Sequence, residues 1–380
     1  MTSLNLAVGH RPAGHRCARR RIERAIARFP EQHRMAVAAL AARDDRIADL
    51  AQSFPALLFA LAVPRPGIDA EPVLADVTAG TPLRDLAASA RVPMWLRKLP
   101  PEAFAMRLAP LPDSELLRLQ IANYLPRPGR AALWLAAVSE AARWGDASFV
   151  LWIARVAARA KRERDVRLRE IRSLSLLAFY SHADTTLGRT LIETPWHASM
   201  SMATAEAACD TFLDRARLYL YVGETPRSDA WFEAGCIDGY EFRPLATSTE
   251  IADEAVAMGN CLRTYGCRIA GNRVRIWSVR RDGQRIATLE IGHRRFGPLP
   301  GIGQLRTMNN KECDAQLWWA ALRWMHGHDL RKIETCAVPW NKLEFDRTRW
   351  VDLWRPFWLA RRRIPCWLTL CPDRRGLWKI

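Results

Sequence analysis

The hydrophobic pattern changes along the chain. Between residues 19 and 220, apolar residues recur at three- and four-residue spacing, and proline or glycine separates the segments, which is typical of successive amphipathic helices. Residues 148–179 contain no such break and are predicted to form one long helix. The first part of the chain is therefore predicted to be an all-helical block.

After a turn-rich stretch at residues 223–240, the pattern becomes that of β-strands. Two runs rich in β-branched and aromatic residues, 274–280 and 285–291, flank an Asp-Gly pair, which favours a two-residue hairpin turn. A third strand at residues 302–306 and a helix at 314–327 follow. The predicted fold class is α+β, with an all-helical N-terminal block followed by a small antiparallel-sheet domain with packed helices.

The length of the chain indicates more than one domain, and its charge is unevenly distributed. Its 380 residues exceed the usual size of a single core. The predicted parts are an α-helical domain at residues 1–222 with a basic arm at 1–30, an α+β domain at 223–340, and a basic, Trp/Arg-rich extension at 341–380 that packs on it. Residues 261–380 carry 24 Lys+Arg against 10 Asp+Glu, a net charge of +14 out of the chain's +17. Such polarisation indicates a polyanionic partner, most often nucleic acid, although an arginine-rich surface alone would give the same count.

Several classes of protein are disfavoured by what the sequence lacks. No apolar run reaches the roughly 20 residues needed to span a bilayer, and no apolar stretch follows the N-terminal arginines to form a secretion signal. We therefore expect a cytoplasmic protein without a membrane partner. The nine cysteines never occur as Cys-x-x-Cys and no His-Glu-x-x-His pattern is present, so no metal site is expected. No glycine-rich phosphate loop is present either, and no cofactor is expected.

A series of short motifs in the C-terminal half resembles a known family. The motifs are Tyr240-Glu241-Phe242-Arg243-Pro244-Leu245, Met258-Gly259-Asn260-Cys261 with Tyr265, Ile276 to Arg280, Ala287-Thr288-Leu289-Glu290-Ile291, Gly303-Gln304 and Asn309-Asn310. In this order, residues 231–325 resemble the PcfJ-like proteins, and residues 80–104 loosely resemble the helical leaders of some bacterial members. The family is named after a conjugative plasmid protein. The resemblance implies a role in mobile elements and partners among their proteins, without defining an activity.

Five polar residues of this series are candidates for a catalytic site. They lie at a predicted helix end, on the hairpin and in the loop after it, so one end of a sheet could gather them into a pocket. The candidates are Cys261, Tyr265, Glu290, Gln304 and Asn309, with Arg280 as a further polar residue of the hairpin. A nucleophilic Cys261 needs a neighbouring base, and His293 is the histidine closest in sequence. The favoured alternative is a buried, unreactive Cys261.

The remaining candidates also have structural interpretations. Glu290 offers a carboxylate for proton transfer, but a two-residue turn would place Arg275 directly opposite it, and we favour a cross-strand ion pair. Gln304 and Asn309 can bind nucleobase edges, yet amides at a strand-to-loop junction more often hydrogen-bond the backbone.

The C-terminal extension interleaves arginine with tryptophan. The candidate nucleic-acid-binding residues are Arg347, Arg349, Arg355, Arg361, Arg362, Arg363, Trp350 and Trp354. Together they offer cations for phosphates and aromatic faces for bases. Because Trp350, Trp354 and Trp358 recur at four-residue spacing, they are alternatively the apolar face of a helix packed on the core, which we favour.

Two functions remain. The favoured one is an accessory factor of mobile elements that associates with DNA or RNA. The alternative is an enzyme with a small polar site at Cys261, Glu290, Gln304 and Asn309.

Overall fold

A computed structural model describes residues 13–127, 129–160, 171–183, 186–225, 230–293, 299–333, 337–339, 343, 346–362 and 364–365. Over these residues the chain forms two compact units. The first contains the chain up to His182 together with Trp196–Ala205, and the second contains Ala183–Pro195 and the chain from Glu206 onwards. Within the described ranges, no helix is both long enough and apolar enough to cross a bilayer.

The first unit is helical. Its helices are α1 (Ala13–Ala27), α2 (Glu31–Ala41), α3 (Asp45–Ser53), α4 (Pro55–Ala62), α5 (Glu71–Ala79), α6 (Leu83–Ser89), α7 (Glu115–Gln120), α8 (Ala131–Trp144), α9 (Ala147–Arg159) and α10 (Ile171–Ser181), with 3-10 turns at Met94–Lys98, Pro101–Ala103 and Ile121–Tyr124. Phe29, Phe59 and Phe104 form a cluster of three rings in the core, with the Phe59 centroid 6.4 Å from that of Phe29 and 5.5 Å from that of Phe104. Such aromatic packing gives short helices a shared apolar centre.

The single helix predicted over residues 148–179 is wrong. Helix α9 ends at Arg159, because Ala160 leaves the helical conformation with φ −56° and ψ 131°. The carbonyl oxygen of Ala160 accepts a hydrogen bond from Nη1 of Arg130 at 2.5 Å, so a tertiary contact stabilises this helix end. Residues 161–170 lie outside the described part of the chain, and α10 follows at Ile171.

The second unit contains a five-stranded antiparallel sheet with the strand order β1-β2-β3-β4-β5. The strands are β1 (Gly235–Ile237), β2 (Tyr240–Pro244), β3 (Val274–Arg281), β4 (Gln284–His293) and β5 (Pro300–Thr307). The helices are α11 (Thr186–Leu191), α12 (Met202–Tyr221, which belongs to this unit from Glu206 onwards), α13 (Ser248–Met258), α14 (Gly266–Ala270), α15 (Ala315–His326) and α16 (Arg347–Ala360), with 3-10 turns at Leu262–Tyr265, Met308–Asn310 and Leu330–Lys332. The predicted α+β class, with a helical N-terminal block, is confirmed.

Each face of the sheet is covered by helices. On one face, Trp277 and Leu289 are paired across β3 and β4 and pack in a core with Trp324 of α15. On the other face, Ile276 packs in a second core with Leu218 of α12 and with residues of α13. Alternate residues of a strand point to opposite faces, so the register of the hairpin decides which side chains lie beneath α13.

The β3–β4 hairpin has the predicted turn but not the predicted register. Arg281 pairs with Gln284, so the two residues between them form the loop, and both have positive φ, 50° and 77°, as a type I′ turn requires. The pairing then shifts, because Arg280 opposes Arg285 whereas Val279 opposes Ala287. Ile286 is the extra residue of a β-bulge.

This bulge overturns the predicted ion pair between Arg275 and Glu290. One extra residue in β4 moves every later pair by one position, so Arg275 opposes Ile291 and Glu290 opposes Ile276. The guanidinium of Arg275 hydrogen-bonds Asn272 instead. Glu290 therefore has partners outside β3.

Helix α16 buries its tryptophans. Trp350, Trp354 and Trp358 are each 1% exposed and lie on the same side of the helix as Leu353 and Phe357. The helix begins after Asp346, whose side chain accepts a hydrogen bond from the backbone N–H of Arg349. The interpretation of this segment as an apolar face packed on a core agrees with the burial.

Replacing Trp354 by alanine is expected to lower the free energy of unfolding by about 3–5 kcal/mol, because the lost indole leaves a cavity. Urea denaturation followed by far-UV circular dichroism measures the change. Arg355→Ala, on the exposed side of the same helix, is the matched control and is expected to shift stability by less than about 0.5 kcal/mol. A Trp354→Ala protein as stable as the wild type would contradict the buried position.

Candidate functional site

Polar side chains cluster on the face of the sheet beneath α13. Thr288 and Glu290 alternate with the core residue Leu289 along β4. On β5, Gln304 lies opposite Glu290 and Arg306 lies opposite Thr288. Directly opposed residues share a face, so these four polar residues form one group.

Glu290 is buried and is held by two partners. Its Oε1 accepts a hydrogen bond from Nη2 of Arg268 at 2.5 Å, and its Oε2 accepts one from the hydroxyl of Tyr265 at 3.0 Å. The guanidinium of Arg268 also lies over the Tyr265 ring, 4.5 Å from its centroid. A buried carboxylate is tolerated when it is paired and hydrogen-bonded in this way.

The same contacts keep the partners in their protonated forms. Burial raises the pKa of Tyr265, and the charge of Glu290 raises it further, so the phenol remains a hydrogen-bond donor. Burial alone would lower the pKa of Arg268, but the neighbouring Glu290 outweighs it and the pKa is raised. The triad of Tyr265, Arg268 and Glu290 is therefore a fixed ion-pair network.

A second buried carboxylate, Glu254 of α13, completes the polar network. Its Oε1 accepts a hydrogen bond from the hydroxyl of Thr288 at 3.1 Å, and its Oε2 accepts one from Nε of Arg285 at 2.9 Å. Nδ2 of Asn260 donates to the Thr288 hydroxyl at 3.2 Å. Sequence reasoning missed Glu254. The available signal was a carboxylate on the apolar side of an amphipathic helix, four residues before Met258.

A cleft of about 30 Å³ opens above these residues. It is lined by, among others, Cys261, Tyr265, Glu290, Gln304, Arg306 and Asn310. Pockets that enclose a small-molecule ligand measure about 300–1,000 Å³, whereas one water needs about 10–15 Å³. The cleft therefore has room for one small polar group of a ligand.

Four of the five predicted site residues meet at this cleft, namely Cys261, Tyr265, Glu290 and Gln304. Asn309 does not line it. The side-chain oxygen of Asn309 lies against Gly259, just after α13, and the next residue, Asn310, lines the cleft. Arg280 is on the hairpin, where its Nε donates to Ser278 Oγ at 3.3 Å.

Both interpretations of Cys261 need correction. Its thiol is exposed, so the predicted buried cysteine is wrong. His293 is directed elsewhere, because its Nε2 lies 3.2 Å from the carbonyl oxygen of Asn272 and its ring packs edge-on against Trp231. A Cys261–His293 pair is therefore not formed.

Replacing Tyr265 by phenylalanine is expected to destabilise the second unit by about 1.5–3 kcal/mol, the range for a hydrogen bond to a charged group. In a Glu290→Ala background the same substitution is expected to cost less than about 1 kcal/mol, because the acceptor is gone. Urea denaturation of the four proteins of this cycle gives the coupling energy.

Tyr240→Phe is the control for that cycle, since among the described residues the Tyr240 hydroxyl has no hydrogen-bond partner. It is expected to change stability by less than about 0.5 kcal/mol. Equal costs for Tyr265→Phe in both backgrounds would show that Tyr265 and Glu290 are not coupled.

The candidate nucleic-acid-binding residues lie on α16 and in the segment just after it, and they differ in burial. Burial leaves Trp350 and Trp354 no free face on which a base could stack. Two arginines are engaged locally, since Nε of Arg349 lies 3.1 Å from Asp346 and Arg361 lies over the ring of Phe357. The other described arginines of the set, Arg347, Arg355 and Arg362, are exposed, and Arg363 lies outside the described residues.

Asp146, Ser181 and His182 form a separate polar cluster in the first unit. Asp146 Oδ2 lies 2.6 Å from Nε2 of His182, and Ser181 Oγ lies 2.6 Å from Nδ1. Burial alone would raise the pKa of Asp146, but hydrogen bonds from His182 and from the Phe149 backbone outweigh it and lower the pKa to about 2. Because Ser181 Oγ donates its proton to the Ala178 carbonyl, the cluster joins α9 to α10 rather than presenting a nucleophile.

Across the described ranges, no group of three or more His, Cys, Asp or Glu residues is arranged to hold a metal ion. No family model matches the chain, and no curated protein or solved structure matches it either.

Proposed function

We propose that the protein is an accessory factor of mobile elements that associates with DNA or RNA through phosphate contacts made by its C-terminal part. The net charge of +14 over residues 261–380 supports a polyanionic partner. The resemblance of residues 231–325 to the PcfJ-like proteins supports the mobile-element setting and partners among the proteins of those elements.

Exposed arginines on α16 and just after it are the observation that carries this proposal. Arg347 begins the helix, Arg355 lies on its exposed side and Arg362 follows its end. All three are exposed, and none of them has an ion-pair or hydrogen-bond partner among the described residues. The buried side of the helix is anchored by three tryptophans, each 1% exposed. Two free cations on a well-anchored helix and a third just beyond its end suit the binding of phosphates spaced along a nucleic acid.

The mode of binding follows from the burial of the tryptophans and the exposure of the arginines. Stacking between bases and Trp350 or Trp354 is ruled out by their burial. This surface therefore offers charge rather than aromatic faces, and contacts of that kind fix the position of a nucleic acid without distinguishing its sequence.

The salt dependence of binding tests the proposal. For the wild type, affinity for a labelled strand or duplex is expected to fall steeply between about 50 mM and about 200 mM salt. Replacing Arg347, Arg355 and Arg362 by glutamine is expected to make the log–log slope shallower by about 2–3, since each lost phosphate contact removes about 0.7–0.9. Fluorescence anisotropy titrations measure both quantities.

A triple variant with the same change in net charge serves as the control. Arg28, Arg43 and Arg243 are each paired with a carboxylate. Replacing these three by glutamine is expected to leave the slope nearly unchanged. Failure of the wild type to bind any nucleic acid at about 50 mM salt, where electrostatic attraction is strong, would refute the proposal.

The cleft favours a second candidate function, an enzyme with a small polar site. The specific observation is that the exposed thiol of Cys261 shares the cleft with Tyr265, Glu290 and Gln304. A thiol that acts as a nucleophile reacts as its thiolate, and an exposed thiol is accessible to a substrate.

The rate of alkylation at Cys261 tests this candidate. A nucleophilic Cys261 is expected to react with iodoacetamide at neutral pH faster than Cys236, which is also exposed and lies on β1. Peptide mass spectrometry after timed alkylation gives both rates from one sample. Equal rates at the two cysteines would remove the support for the enzyme.

A further inference from the structure

The size of the cleft limits the kind of ligand that it can bind. Its volume of about 30 Å³ accommodates one functional group and not a whole metabolite. A ligand that uses this cleft must therefore be a larger molecule that inserts one polar group and makes its other contacts outside. Polymers with polar groups at regular spacing meet this requirement.

The mouth of the cleft offers free amides beside positive charge. The side chains of Gln304 and Asn310 are exposed, and neither hydrogen-bonds another described residue. Each amide carries a donor and an acceptor side by side, which is the pattern that pairs with the edge of a nucleobase. Lys311 is exposed next to them, and among the described residues the guanidinium of Arg306 is held only by a 3.5 Å contact to Glu312, which is 90% exposed.

The loop that carries Asn310 is held in a defined shape. The backbone N–H of Thr307 donates to the carbonyl oxygen of Lys311 at 2.9 Å and closes the turn after β5. Asn309 and Asn310 both have a φ of 58°, a left-handed conformation that asparagine tolerates better than most residues. Because Asn309 lies against Gly259, this turn is packed against the end of α13. The backbone that carries the Asn310 amide is thus fixed before any ligand arrives, which lowers the entropic cost of binding.

We propose that this cleft binds the edge of an unpaired nucleobase, with Gln304 and Asn310 as its hydrogen-bonding groups and Arg306 and Lys311 contacting the flanking phosphates. The inference rests on the proposed nucleic-acid function. The basic rim favours a nucleic acid over a protein partner as the polymer. The base must be unpaired, because only a base turned out of a duplex can insert its edge into a recess of this size.

Discrimination between strands with and without bases is the first test. The probes are labelled single-stranded homopolymers of adenine, cytosine and thymine nucleotides and an abasic strand of equal length. The wild type is expected to bind at least one homopolymer about tenfold more tightly than the abasic strand, the magnitude of one good amide–base contact. Gln304→Ala and Asn310→Gly, which keeps the left-handed backbone, are each expected to reduce that preference while leaving the salt slope unchanged.

Gln284→Ala is the matched control for the amide variants. Gln284 is an exposed glutamine at the hairpin turn, six residues along β4 from Glu290 and therefore about 20 Å away. Its replacement is expected to leave the preference intact. Should a cleft variant prove unstable, Gln304→Met retains the length of the side chain without its amide and is expected to reduce the preference in the same way.

Protection of Cys261 from alkylation is the second test and locates the strand. At saturating homopolymer, Cys261 is expected to be protected from iodoacetamide. Cys236 serves as the internal control, because it is exposed on β1, at the other edge of the same sheet. Its reaction rate is expected to stay constant.

The outcomes separate this inference from the proposed function. Salt-dependent binding with an unprotected Cys261 and an unchanged preference in both amide variants would overturn the cleft as a nucleobase site and leave the proposed function standing. Equal protection of Cys261 by the abasic strand would likewise overturn it, because phosphates alone would then explain the contact. No binding of any strand would overturn both, and the cleft would then be open to a protein partner.

Discussion

The cleft depends on one buried carboxylate, Glu290, and on the two groups that bind it, the guanidinium of Arg268 and the hydroxyl of Tyr265. Tyr265 comes from the 3-10 turn after α13 and Arg268 comes from α14, so a single side chain on β4 fixes two segments of chain above the sheet. A lone carboxylate at this depth would be strongly disfavoured, and removing Arg268 would leave its charge uncompensated. The position of Cys261, four residues before Tyr265, follows from that attachment.

Helix α16 has both a buried apolar side and exposed positive charge, although the residues for the two are mixed along the sequence. Its tryptophans and arginines are interleaved along the chain, but the helical repeat brings the tryptophans to one buried side, while Arg355 lies on the exposed side. Indole rings provide the large apolar area needed to anchor a helix of 14 residues. Arginines on the outer side then keep their charge in water at no cost in burial.

The local sequence pattern predicted the strands and the turn better than it predicted how the strands pair and which side chains meet. The Asp-Gly turn and the strands beside it could be recognised because turn geometry and strand propensity are local properties. The bulge at Ile286 had no comparable signal in the sequence, since isoleucine suits a regular strand. The predicted Arg275–Glu290 ion pair is wrong because the bulge shifts the register. Four of the five predicted site residues do line the cleft. The fifth, Asn309, does not, and the next residue, Asn310, takes that position because of a left-handed turn that the sequence pattern does not specify. Buried Glu254 was missed because its partners lie 31 and 34 residues away.

Strand β5 lies at the end of the strand order, and within the part of the chain that the structure describes one side of it has no neighbouring strand. Open strand edges recruit other strands, and proteins that expose them are prone to aggregation. In this chain, Glu312 returns to form a single β-bridge with Arg306, and Pro300, at the start of β5, has no backbone N–H to donate. The turn that presents Asn310 therefore also covers part of the open edge of the sheet. A change in the length of this turn would affect the solubility of the protein as well as the shape of the cleft.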